Sequence, residues 1–104
     1  MTAADDGAQQ EIARMRVRID ELDDQIVRLL AERTAAVRVL TEHKSSEAAV
    51  RSPDRVQQVL QRVEALAGQH GMPPQIARET YRTLIDQLTR MQMDRLAERQ
   101  GTPT

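Results

Sequence analysis

The chain of 104 residues contains no cysteine, no phenylalanine and no tryptophan, and only one tyrosine. Without cysteine there are no disulfides, thiolate nucleophiles or thiolate metal sites. With almost no aromatics, aliphatic residues and methionine must build the core. No apolar run approaches the ~20 residues of a membrane span. The polar, acidic start Met1-Thr-Ala-Ala-Asp-Asp-Gly7 is unlike a signal or transit peptide. A cytoplasmic protein is the expectation. The formal net charge of -1 offers no overall field for nucleic acid, so any anion site must be a local cluster. His43 and His70 lack ligand-spaced companions, which argues against a metal site. No glycine-rich phosphate loop, Ser-His-Asp arrangement or pair of catalytic carboxylates stands out. Lysine is nearly absent too: of fifteen basic residues, only Lys44 is not arginine.

What is present is helical pattern. Residues 1–8 read as a disordered leader, 9–99 as one helical domain and 100–104 as a disordered tail. The first helix is expected from about Gln9 to His43. Its stripe is Ile12, Met15, Ile19, Leu22, Ile26, Leu29, Arg33, Ala36 and Leu40, spaced alternately by three and four. Ser52-Pro53-Asp54 predicts the start of a second helix, with Ser52 as N-cap and Pro53 as first helical residue. Val56, Val59, Leu60, Val63 and Leu66 form its inner face, and the Gly68–Gly71 segment ends it. After the turn Met72-Pro-Pro, a third helix is predicted from about Pro74 to Arg99. Tyr81, Leu84, Ile85, Leu88, Met91, Gln92 and Leu96 lie on its inner side. The fold class is therefore all-α, with three helices, one very long. Thirty-odd helical residues span roughly 50 Å, whereas a compact globule of this size has a radius of gyration near 13 Å, about a quarter of that length. The apolar stripe needs covering, and a homodimer of paired long helices would cover it. The alternative is a monomer with a kinked first helix, for which no Pro or Gly between Gln9 and His43 supplies the kink.

Three polar residues break these patterns. Arg33 sits on the stripe of the first helix, where a buried guanidinium is expensive unless paired. It is open to an interior carboxylate, to snorkelling at the surface, or to an anionic ligand in an internal cavity. Arg55 lies in the first turn of the second helix, where the dipole disfavours cations and favours bound anions. It suits either a surface pair with Asp54 or a carboxylate or phosphate seat. Gln92 replaces an apolar residue on the third helix, and a buried amide needs partners, structural or ligand. Lys44 lies in the connection after the first helix, and reads either as a solvated loop residue or as part of a site, since such segments tend to carry function. Inward cations and amides without a nucleophile suit an enzyme that binds a polyanion and reshapes it.

These residues together resemble the all-helical chorismate mutase family, over roughly residues 12 to 98. Arg16-Val-Arg-Ile-Asp20-Glu-Leu-Asp23 is similar to the family's opening Arg-x-x-Ile-Asp-x-Ile-Asp, and Leu30-Ala-Glu-Arg33 to its Leu-Ala-Glu-Arg. Lys44, Arg55 and Gln92 fall at its loop lysine, second-helix arginine and third-helix glutamine. The resemblance implies an intertwined homodimer of the chorismate mutase type II fold, needing no cofactor, with Arg16 crossing into the partner's site. Arg16, Arg33 and Arg55 would then bind a small dicarboxylate substrate. Lys44 and Gln92 would hydrogen-bond the ether oxygen whose bond breaks, with Arg33 in support.

Within that family the segment Lys44-Ser-Ser-Glu-Ala-Ala-Val-Arg-Ser-Pro-Asp-Arg-Val56 resembles the isochorismate pyruvate lyase branch. Mutases carry carboxylates where this chain has Ser52 and Val56. Leu88 stands where mutases have a small hydroxyl residue and the lyase a bulky aromatic one. Ser52, Val56 and Leu88 are therefore expected to shape the pocket. The favoured expectation is an isochorismate pyruvate lyase that releases pyruvate and leaves salicylate, a siderophore or specialised-metabolite precursor, with side mutase activity. The alternative is a chorismate mutase making prephenate. A non-catalytic helical dimer is the reading from another class.

Overall fold

A computed structural model describes the backbone of residues 3–101 and the side chains of residues 5–101. All of its regular structure is helical: α1 spans Ala3–Thr41, α2 Glu47–Arg51, α3 Pro53–Gln69 and α4 Pro74–Arg99. There is no strand among the described residues. The chain divides after Ala35 into two units, the first holding most of α1 and the second its last turns with α2, α3 and α4.

In the first unit, α1 starts at Ala3 rather than near Gln9, so it takes in most of the segment expected as a disordered leader. The reason is local. Asp5 and Asp6 fall in the first turn, where carboxylates meet the positive end of the helix dipole, and two alanines precede them. The expected stripe is present and uncovered within the chain: Ile12, Met15, Ile19, Leu22, Ile26 and Leu29 are all exposed. Glu11–Arg14, Arg18–Glu21 and Arg28–Glu32 pair along the helix at three- or four-residue spacing.

In the second unit, α1 ends at Thr41 and a short link leads to α2, a single turn absent from the sequence-based expectation. Ser46 starts it. Its backbone is extended and its side-chain oxygen accepts from Ala49 N at 3.1 Å, a standard N-cap arrangement. Pro53 then forbids continuation, because the residue before a proline is pushed out of the right-handed helical region. Ser52 responds by adopting φ 38°, ψ 64°, and is the one non-glycine residue with positive φ among those described. It occupies the N-cap position of α3 as expected. The left-handed backbone, however, does not place its hydroxyl for capping, and no side-chain cap bond forms.

Helix α3 packs on α4, and α2 also packs on α4. Leu60, Val63 and Ala67 of α3 are buried, with Val59 and Tyr81 packed beside the cluster of Val63, Ala67 and Ala77. Ala67 takes the inward place expected for Leu66, which is exposed. Helix α3 closes with paired bonds, Met72 N to Ala67 O at 2.8 Å and Gly71 N to Gly68 O at 3.3 Å. Gly71 takes the left-handed conformation this closure requires, φ 74°. Pro74 starts α4 as expected, and Leu88, Gln92 and Leu96 are buried along it. Arg78 and Glu64 form an ion pair between α3 and α4. No described helix is long and apolar enough to cross a membrane.

Candidate functional site

The second unit brings together two of the expected residues. Lys44 Nζ donates to Gln92 Oε1 at 2.9 Å across 48 residues of sequence. Gln92 is buried at 6% exposure and Lys44 is half-buried. Thr41 completes the group. It is 2% exposed, and its Oγ1 lies 3.1 Å from Gln92 Oε1 and 2.7 Å from Val37 O. The amide oxygen of Gln92 thus receives two donors. With its oxygen turned to these two donors, Gln92 has its Nε2 group directed away from them.

The link carrying Lys44 is held from α4. Arg99 Nη1 donates to the carbonyls of Thr41 and Lys44, both at 2.8 Å. Those groups lie at the end of α1, where carbonyls lack intrahelical partners and a cation is favoured. Glu42 receives Arg95 Nε at 2.7 Å and pairs with Arg99 Nε at 3.4 Å. The hydrogen bond from Arg95 is the main cause holding the Glu42 carboxyl below its ordinary range. The Arg95 and Arg99 charges assist, while desolvation opposes them. The same bond raises Arg95, with Glu98 adding to it. A recess of about 120 Å³ opens here, lined by Arg38, Thr41, Glu42, Met91, Gln92 and Arg95. It is smaller than the ~300–1,000 Å³ usual for a small-molecule site.

Arg55 lies in this unit but is exposed and reaches Gln58 Oε1 at 3.4 Å. It makes no hydrogen bond to Lys44 or Gln92, nor an ion pair with Asp54, among the described residues. Leu88 is buried one turn before Gln92, and Ser52 and Val56 are half-buried around the start of α3. Arg16 and Arg33 belong to the first unit, where Arg16 is exposed and Arg33 half-buried. Among the described residues, no cluster of His, Asp or Glu is placed to hold a metal ion.

Sequence reasoning missed Thr41 and the Arg95–Glu42–Arg99 clasp. Thr41 falls outside the apolar stripe, and threonine is common on solvated helix faces. The clasp joins residues more than fifty positions apart. Its only local trace was arginine near the end of α4.

An all-helical chain with a long first helix, and an inward glutamine held by a loop lysine, define a class that sequence comparison identifies. Residues 15–93 match the family model for chorismate mutase type II, and the chain belongs to that family. A chorismate mutase from Methanocaldococcus jannaschii is 27% identical over 93 residues, which cover 88% of this chain and 94% of the relative. Both findings point to the mutase, and neither supports the favoured expectation of the lyase branch.

Proposed function

We propose that the protein is a chorismate mutase, converting chorismate to prephenate by an intramolecular rearrangement. The observation that carries this reading is the Lys44–Gln92 pair, in a chain of this family. In the rearrangement a carbon–oxygen bond breaks as a carbon–carbon bond forms, and negative charge grows on the ether oxygen. Lys44 spends one N–H on Gln92 and keeps two. Gln92 presents its oxygen to Lys44 and so offers its NH2 group to a second acceptor. An ammonium and an amide N–H directed at that oxygen stabilise the transition state more than the ground state. Neither group needs to exchange a proton with the substrate, which accords with the lack of an evident acid–base pair.

Arg33 and Arg55 bind the two carboxylates, and Arg16 comes from a second copy of the chain. The uncovered stripe from Ile12 to Leu29 and the small size of the recess both support a homodimer. Holding the enolpyruvyl arm over the ring in a reactive conformer supplies the rest of the acceleration. Leu88, Ser52 and Val56 shape the pocket wall.

One sequence feature favours the lyase as a second reading: Ser52 and Val56 carry no carboxylate for the ring hydroxyl of chorismate. The deciding experiment compares prephenate formed from chorismate with salicylate formed from isochorismate, using the purified protein. The mutase reading expects the higher kcat/KM for prephenate, and a higher value for salicylate overturns it. Replacing Ile19 and Leu22 by glutamate should convert a dimer, seen by sedimentation, to inactive monomer. A protein that sediments as a monomer before substitution rejects the dimer.

A further inference from the structure

Gln92 works as a donor only if its amide faces one way, because a half-turn about its last bond would exchange oxygen for NH2. Lys44 alone is a weak guarantee of that orientation. Its ammonium rides on a flexible four-carbon stem, and catalysis asks it to engage the substrate as well. Thr41 has neither weakness. Its side chain is short and stiff at χ1, is 2% exposed, and stands on the last residue of α1.

The hydroxyl of Thr41 has one proton and two neighbouring acceptors, Val37 O at 2.7 Å and Gln92 Oε1 at 3.1 Å. In an α-helix the carbonyl of residue 37 already receives the backbone N–H of residue 41. If the hydroxyl proton were given wholly to Val37, two oxygens would face each other at 3.1 Å in a buried place with no hydrogen between them. Turning the amide would relieve that contact but bring NH2 against the Lys44 ammonium, donor against donor at 2.9 Å. Sharing the Thr41 proton with Gln92 satisfies every group.

We infer that Thr41 is a positioning residue for the reaction, a fixed donor that holds the Gln92 amide with its NH2 turned toward the substrate while Lys44 moves. Its effect on turnover rests on the mutase reading and on the donor role of Gln92; its effect on the amide does not. Thr41→Val keeps the shape and removes the donor, and Thr41→Ser restores it. Turnover of chorismate should fall about tenfold in kcat for Thr41→Val, the scale of one neutral hydrogen bond, with KM within about twofold. Thr41→Ser should stay near wild type. Wild-type protein that makes no prephenate defeats the mutase reading, and the Thr41 question is then decided without substrate. In amide NMR spectra, Gln92 should show one sharp pair of side-chain NH2 signals in wild type and Thr41→Ser. The pair should broaden by exchange between orientations in Thr41→Val. Sharp, unshifted Gln92 signals in Thr41→Val overturn the inference. So does an equal loss of kcat in the valine and serine variants, which marks a packing role.

Discussion

Lys44→Met isolates the charge at the centre of the proposed site. Methionine keeps much of the length and apolar character of the lysine stem, so what is removed is the ammonium and its N–H donors. Two interactions are lost. The first is the 2.9 Å bond to Gln92 Oε1, and Thr41 remains as a donor to that oxygen. Lys44 is half-buried in a link between helices, so this loss should change folding stability by about 1 kcal/mol or less. The second, on the proposed function, is a donor to the ether oxygen of the breaking bond. A preorganised donor of that kind contributes on the order of 10²–10³ in kcat when removed alone. The variant should therefore lose turnover of chorismate by about that factor and keep its helical circular dichroism, with a melting temperature lowered by at most about 4–8 °C. Lys44→Arg retains charge but presents a broad planar fork, and should recover only part of the loss. Steady-state kinetics with prephenate identified by NMR provides the measurement. A Lys44→Met protein with kcat within about threefold of wild type would refute the role argued for the ammonium.

Three further outcomes follow from the fold. Leu60 is fully buried, so Leu60→Ala should cost about 3–5 kcal/mol in chemical unfolding, and a cost below about 1 kcal/mol would contradict that packing. Ser52 sits at φ 38° without a side-chain cap bond, so Ser52→Gly relieves a left-handed strain of ~1–2 kcal/mol against an entropy cost of ~0.5–1. It should raise the melting temperature slightly and Ser52→Val should lower it; the reverse order would refute the strain. The Glu42 carboxyl is held below its ordinary value of 4.5, so its contribution to stability is present above that pH and disappears as acid takes the solution through the folded value. Acid should thus narrow the difference in melting temperature between wild type and Glu42→Gln, and a gap that widens with acid has the wrong sign.

Much of this architecture was legible because it repeats locally. Period and punctuation placed α4 at Pro74–Arg99, and the glycine-bounded end of α3 carried its own closure signal. Gln92 was legible as a polar residue on an apolar face. What stayed hidden required tertiary knowledge or exact backbone angles. The one-turn helix α2 was obscured because Ser52-Pro53 read as the start of the next helix, and the Ser46 cap that opens α2 shows only in the backbone and its bond from Ala49 N. Arg55 read equally as a surface partner of Asp54 or as an anion seat, and in this chain it reaches Gln58. The preference for the lyase came from one segment of thirteen residues, Lys44 to Val56. The family model and the curated relative cover most of the chain and describe mutases.

The Arg99 bonds to the carbonyls of Thr41 and Lys44 have a thermal consequence. Arg99 is the final residue of α4, and helix ends open more readily than helix centres. Fraying of that last turn loosens the lysine link, leaving it held by Lys44–Gln92 and Arg95–Glu42, with the α3–α4 core and nearly all helical signal in place. On the proposed function, warming should lower turnover reversibly before the protein melts, and Arg99→Ala should bring that decline to a lower temperature while melting close to wild type.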